Sequence, residues 1–107
     1  MNAEKRNHII QAIGHKARSV VPEGTQIVLF GSQARGDAHE DSDWDILILL
    51  DKDRIGLNDY DDFAYPLREF GWDIGECINT ILYTKEDWQH RSYTPLYKNV
   101  MKEGILL

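Results

Sequence analysis

The stretch QIVLFGSQARGDAHEDSDWDILILL, residues 26–50, decides the fold of this chain. It starts with a short apolar segment, Gln26–Phe30, which predicts a buried strand. It ends with Trp44–Leu50, which is apolar on both faces except for Asp45, and this pattern is typical of a strand at the centre of a sheet. Gly31 and Ser32 follow the first strand directly and open a polar segment. The stretch therefore predicts two strands joined by a polar loop.

The segments on either side of this stretch predict one further strand and three helices. The spacing of apolar residues predicts a helix over 3–20, a weakly helical acidic segment over 57–70, a strand over 76–83 and a final helix over 84–103. Pro66 is expected to kink or shorten the second helix. Thr84 is a candidate N-cap and Gly104 a candidate C-terminal stop for the last one. This order predicts an α/β (α+β) domain.

Length and composition exclude several other classes of protein. A chain of 107 residues with 42% hydrophobic and 28% charged residues is typical of one globular domain, which we expect to span residues 1–107. The single cysteine, Cys77, excludes a disulfide scaffold, and its place on the predicted strand over 76–83 indicates an inert buried thiol. The longest apolar run, Ile46–Leu50, is too short to cross a bilayer. The N-terminus has no apolar signal core, so we expect a cytoplasmic protein.

Charge further restricts the partners of this chain. Eighteen acidic and twelve basic residues give a net charge of −6, and no cluster of lysines and arginines stands out. An extended nucleic-acid surface is therefore not expected. The acids are concentrated in segment 37–45, with five in nine positions, and in segment 59–62, with three in four. We interpret the second group as a solvated face.

Asp43 and Asp45 predict a metal site at the start of the second strand. Residues i and i+2 of a strand point to the same face, with Cα atoms about 6.5 Å apart. Two carboxylates at that separation repel each other unless a cation lies between them. Mg²⁺ takes oxygen ligands and is commonly held by one or two carboxylates together with substrate phosphates. The alternative reading is a pair of ordinary turn aspartates, because aspartate is common in turns.

Gly31, Ser32 and Arg35 are candidate phosphate ligands. Glycine after a buried strand lets the backbone approach a ligand closely, and a short helical turn offers free N–H groups to a phosphate oxygen. Arg35 lies three residues after Ser32 and is a candidate second contact to the same phosphates. The alternative is a plain strand and turn with a serine cap. A Walker-type phosphate loop is excluded, because its Gly-Lys-Ser/Thr element is absent.

Taken together, these elements resemble a known signature. A strand, Gly31-Ser32, ten residues, Asp43-x-Asp45 and a second strand are similar to the motif of the DNA polymerase β-like nucleotidyltransferase superfamily. The chain most resembles the minimal nucleotidyltransferases, which are single small domains. This resemblance implies a small mixed β-sheet of three or four strands with helices on one face.

The resemblance also implies roles for individual residues. Gly31 and Ser32, with Arg35 beside them, would bind the triphosphate of ATP, and Asp43 and Asp45 would ligate Mg²⁺. The implied reaction transfers a nucleotidyl group, AMP by expectation, to a macromolecular acceptor and releases pyrophosphate.

Members of the superfamily usually have a third carboxylate on a later strand. Glu76 is the first candidate for this catalytic and metal-binding role. Cys77 and Asn79, however, occupy positions where an aspartate is expected. A solvent-facing strand end is the alternative reading of Glu76.

Partners follow from the resemblance alone. Minimal nucleotidyltransferases are often paired with a small helical HEPN-domain protein, which implies the antitoxin of a toxin–antitoxin pair. A homodimer is a further expectation. The alternative function is a catalytically weak or inactive nucleotide-binding module that acts only by contact with a partner protein.

Overall fold

A four-stranded mixed sheet forms the centre of the protein. The computed structural model describes residues 2–39 and 41–107. Its strands are β1 (Gln26–Phe30), β2 (Trp44–Leu50), β3 (Ile78–Thr84) and β4 (Ile105–Leu106), in the spatial order β3-β2-β1-β4. Strand β1 is antiparallel to β2 and β4, whereas β2 and β3 are parallel. The predicted mixed α/β fold is confirmed.

Five α-helices and one π-helical segment surround the sheet in the described part of the chain. They are α1 (Ala3–Val20), α2 (Ser32–Arg35), the π-helical segment Tyr60–Ala64, α3 (Tyr65–Ile74), α4 (Lys85–His90) and α5 (Pro95–Glu103). None of the described helices is both long and apolar enough to cross a membrane.

Helices cover both faces of the sheet, which corrects the expectation of helices on one face. Helices α1 and α3 pack on the face that carries Trp44, Ile46 and Ile48. Helices α4 and α5 pack on the other face, where Trp88 and Val100 contact the side chains of alternate strand residues. Because β2 is apolar on both faces, each face needs an apolar cover.

The C-terminal third contains the largest departure from the predicted elements. The single helix expected over 84–103 is two helices, and the turn between them ends at Thr94. The Thr94 hydroxyl accepts a hydrogen bond from the backbone N–H of Tyr97 at 3.2 Å, and Pro95 occupies the first turn of α5. Proline has no N–H and is best tolerated at that position, so it begins a helix here. The two-residue strand β4 was not predicted.

The other elements agree with the sequence, except that the helix expected over 57–70 is the π-helical segment Tyr60–Ala64 followed by α3, which ends only at Ile74. The bounds of α1, β1 and β2 are as predicted, and β3 begins at Ile78, two residues later than expected. Thr84 caps α4 by accepting from Asp87 N–H at 3.0 Å, and Gly104 ends α5. Pro66 lies in the first turn of α3, directly after the π-helical segment.

Candidate active site

The strand register brings the signature residues to one edge of the sheet. Phe30 at the end of β1 pairs with Asp45 near the start of β2, and Asp45 also pairs with Asn79 of β3. Paired residues of neighbouring strands face the same side of a sheet. The turn that begins at Gly31 therefore lies on one side of Asp45, and Asn79 lies on the other.

Position 31 requires a glycine for two reasons, which are its backbone conformation and its close approach to Asp45. Its φ is +77°, in the left-handed region that favours glycine. A Cβ built on Gly31 would overlap the Asp45 carboxylate. Helix α2 starts at the next residue, Ser32, and the first N–H groups of a helix have no acceptor inside it. The turn thus brings backbone donors to the edge that holds the aspartates.

Asp45 carries a carboxylate that the chain itself does not neutralise. Burial raises the pKa of Asp45, and the negative charge of Asp43 raises it further. A hydrogen bond from Asn79 and the positive charge of Arg35 oppose this rise only in part. Asp43 is exposed. The result is a pair of like charges that a bound cation would stabilise.

Asn79 completes the polar surface of this site. Its amide Nδ2 donates to Asp43 Oδ2 at 2.8 Å. Cys77 lies two residues earlier and is exposed, which corrects the expectation of a buried thiol. A hydrogen bond to Asp43 raises the pKa of the Cys77 thiol. The groups facing Asp43 are therefore an amide and a neutral thiol.

The structure does not bring Glu76 to the aspartates. Glu76 Oε1 accepts a hydrogen bond from the indole Nε1 of Trp44 at 2.8 Å. Trp44 is fully buried and precedes Asp45 on β2, so the two side chains point to opposite faces. A buried indole N–H needs an acceptor, and Glu76 supplies it. Within residues 2–39 and 41–107, no three or more His, Cys, Asp or Glu side chains are grouped to hold a metal.

Arg35 lies beside the site and is held there by two acids. Its guanidinium contacts Asp37 at 3.2 Å and Glu103 of α5 at 3.1 Å. The hydrogen bond with Asp37 raises the pKa of Arg35. The positive charge of Arg35 in turn reduces the rise in the pKa of Asp45. The Arg35 guanidinium, which is the predicted phosphate contact, is therefore already held in position beside the site.

Gln33 is a residue of the site region that the sequence analysis missed. Its side chain is buried, and Nε2 donates to the backbone oxygen of Ser42 at 3.3 Å. Its own backbone oxygen accepts two hydrogen bonds from Arg6 of α1, at 3.1 and 2.6 Å. Gln33 thus connects the turn after β1 to the residue before Asp43. No periodic pattern distinguishes a glutamine in a four-residue helix, so the sequence offered no signal.

The donor set of this edge fits a magnesium ion. Asp43 and Asp45 supply hard carboxylate oxygens, and the amide oxygen of Asn79 belongs to the same class of ligand. A divalent cation would offset both the burial that raises the pKa of Asp45 and the added repulsion from Asp43. Together with the donors of the Gly31 turn, the arrangement can bind a metal–phosphate group.

Comparison with known proteins agrees with this geometry. The family described as "Nucleotidyltransferase domain" matches residues 10–107. The chain is 33% identical over 108 residues to a protein of Methanocaldococcus jannaschii whose name gives it as a candidate protein adenylyltransferase, with 100% of this chain and 99% of that protein covered.

Two solved structures share the fold. One is a toxin–antitoxin with AMP-PNP, at a TM-score of 0.56 and 21% identity, covering 94% of this chain and 70% of that one. The other is a mutant of the toxin–antitoxin MntA–HpeT, at a TM-score of 0.54 and 18% identity, covering 99% of this chain and 71% of that one. The chain belongs to the nucleotidyltransferase domain family, as the signature in residues 31–45 predicted.

Proposed function

We propose that this nucleotidyltransferase transfers AMP from Mg²⁺-ATP to a hydroxyl group of a partner protein. The observation that carries the proposal is the contact between the Gly31 turn and Asp45, with Asp43 beside them. In this proposal the backbone donors after Gly31 bind phosphate and the two aspartates bind the metal, all at one edge of the sheet.

The chemistry follows from this placement. Backbone N–H groups after Gly31 and the hydroxyl of Ser32 hold the triphosphate, and Asp43 and Asp45 hold the metal. When bound, Mg²⁺ neutralises charge that develops on the phosphate oxygens. The acceptor oxygen attacks the α-phosphorus, and its bond to phosphorus forms as the bond to the bridging oxygen of the β-phosphate breaks. Pyrophosphate leaves with the electron pair of the broken bond, and the hydroxyl proton passes to solvent water.

The choice of ATP and of a protein acceptor is supported by the relatives. One relative is named for protein adenylylation, and a structural neighbour was solved with an ATP analogue. Both structural neighbours are toxin–antitoxin pairs, which supports a toxin as the partner. We propose a helical HEPN-domain toxin and a cytoplasmic setting. Homodimer formation stays a prediction.

A second function is favoured by one specific observation. Asn79 stands beside Asp45, and Glu76 is bound to Trp44, so two carboxylates face the site within the described residues. A chain built this way could bind Mg²⁺-ATP and act by contact with its partner, without turnover.

Incorporation of label distinguishes the two functions. The purified protein is incubated with [α-³²P]ATP and Mg²⁺ in lysate of the source cells, and labelled proteins are separated. The catalytic proposal expects a discrete labelled protein that is absent with Asp43→Asn/Asp45→Asn and present with the charge-matched control Asp61→Asn/Asp62→Asn. No label, despite binding of Mg²⁺-ATP, would contradict transfer and favour the binding module.

A further inference from the structure

We propose that Asn79 is a positioning residue that holds Asp43 in place and limits the site to a single divalent cation, bound together with the nucleotide. This inference rests on the proposed function and concerns how its metal site is built.

The parallel register of β2 and β3 fixes Asn79 at the site. Asn79 pairs with Asp45, so its side chain faces the same side of the sheet as the Asp45 carboxylate. From there the amide reaches diagonally to Asp43 and donates from Nδ2 at 2.8 Å. Asn79 is partly buried, whereas Asp43 is exposed. The hydrogen bond therefore restrains an exposed carboxylate, which the Cys77 thiol also contacts.

An amide suits this position because it orients Asp43 without adding charge. Metal-ligating carboxylates are commonly held by hydrogen bonds from a second group, and losing that group weakens metal binding. A carboxylate in place of Asn79 would add a third negative charge next to Asp45. Because position 79 pairs with Asp45 and lies within hydrogen-bond distance of Asp43, a third charge there would repel both aspartates unless a further cation were bound.

The number of protein carboxylates limits the number of cations. Asp43 and Asp45 supply two carboxylates, which can hold one divalent cation together with the phosphates of the nucleotide. A second cation would lie about 3.5–4 Å from the first and would need a further protein ligand besides the shared aspartates and phosphates. Glu76 does not provide one, because its carboxylate is engaged by Trp44 on the other face. No cluster of three acidic, histidine or cysteine side chains occurs in the part of the chain that the structure describes.

The test is a count of bound Mn²⁺ by electron paramagnetic resonance, with α,β-methylene-ATP present as a non-reacting nucleotide. We expect one Mn²⁺ per chain for the unmodified protein and two for Asn79→Asp. We expect one for Asn79→Ala, with affinity lower by about ten- to a hundredfold. Asn58→Asp adds the same charge at an exposed position before the π-helical segment and should leave both the count and the affinity unchanged.

The outcomes separate this inference from the proposed function. Two Mn²⁺ ions in the unmodified protein, or one in Asn79→Asp, would overturn the inference while label transfer could still occur. Unchanged affinity in Asn79→Ala would overturn the positioning role. Absence of Mn²⁺ binding in the unmodified protein, together with absence of label transfer, would overturn the inference and the proposed function together.

Discussion

Asp45 and Asp59 show how the same side chain serves two different purposes in one small domain. Asp45 lies near the start of β2, where burial and the charge of Asp43 raise its pKa. Asp59 lies beyond the other end of β2, where a hydrogen bond from Lys52 and one from the backbone N–H of Gly56 lower its pKa. The first carboxylate lacks a full counter-charge from the chain, and the second has one.

Under the proposed function, the difference separates a structural acid, Asp59, from a site acid, Asp45. Asp59 accepts from Lys52 Nζ at 3.1 and 2.8 Å and from Gly56 N–H at 2.6 Å, so it closes the loop after β2. The prediction that Asp59 belongs to a solvated face is wrong, because the residue is buried. Asp45 has no such paired cation, and Asn79 and Arg35 offset the rise in its pKa only in part, so under the proposed function a bound cation would stabilise it further. A perturbed carboxyl of this kind is typical of a functional site.

The largest expected effect comes from exchanging Asp45 for its neutral isostere. Asp45→Asn removes a metal ligand and should lower label transfer by at least about a hundredfold, since metal stabilisation of the reacting phosphate contributes several kcal/mol. Asp59→Asn should leave transfer unchanged. Parallel rate measurements on the two variants check this, and equal loss in both would remove the distinction between the two acids.

Alanine substitutions at two glycines test the contact between the Gly31 turn and Asp45. Gly31 and Gly36 both have positive φ, at +77° and +86°, so alanine at either position strains the backbone by about 1–2 kcal/mol. Only at Gly31 would the added Cβ overlap Asp45, because nothing lies within 4 Å at Gly36. We expect both variants to lose stability in urea, and Gly31→Ala alone to lose Mg²⁺-ATP binding. Equal binding by the two variants would show that the turn does not serve the nucleotide.

Weakening the hydrogen bonds of Asp59 with Lys52 and Gly56 should have a moderate effect on stability. Asp59→Asn weakens the interaction with Lys52, whose side chain is 43% exposed, so solvent screening limits the loss to about 1 kcal/mol. Urea unfolding at neutral pH measures the loss. Asp45→Asn, without Mg²⁺, should instead leave the free energy of unfolding unchanged or slightly higher, because it removes repulsion from Asp43.

The two acids should also give opposite pH dependence. The pKa of Asp59 is lower in the folded state, so its contribution to stability is present above the unfolded pKa and lost as the pH falls through the folded pKa. The pKa of Asp45 is raised, so ionised Asp45 costs stability above its folded pKa, and this cost disappears as the pH falls. Urea unfolding without Mg²⁺ between about pH 3 and 7 should therefore show less acid destabilisation in Asp59→Asn and more in Asp45→Asn. Identical profiles would contradict the assignment.

The smallest effect is expected at Arg35. Its contacts with Asp37 and Glu103 are solvent-exposed ion pairs, so Arg35→Ala should change the free energy of unfolding very little. It should still raise the KM for ATP, because the variant removes a cation that lies beside the proposed phosphate site. Arg35→Lys should restore part of this loss, since lysine keeps the charge but not the planar fork. An unchanged KM in Arg35→Ala would show that Glu103 holds Arg35 for structural reasons alone.

The signature and the central strands could be predicted because their signals are local. Strand β2 is apolar on both faces, and the two aspartates follow from their spacing on it. The partner of Glu76 could not be predicted in the same way. It depends on the buried indole of Trp44, 32 positions earlier, and only the register of β2 and β3 reveals it. The role of Gln33 likewise depends on contacts with Arg6 and Ser42 that no local pattern records.

Thermal unfolding with saturating Mg²⁺ and α,β-methylene-ATP tests the central claim most directly. A ligand that binds only the folded state at a hundred times its Kd adds about 2.7 kcal/mol of stability. For a domain of this size, that corresponds to a rise in Tm on the order of 10 °C. We predict this rise for the unmodified protein and for Asp59→Asn, and its absence for Asp45→Asn. No rise in the unmodified protein, or an equal rise in Asp45→Asn, would contradict the assignment of the Asp43–Asp45 edge as the metal–nucleotide site.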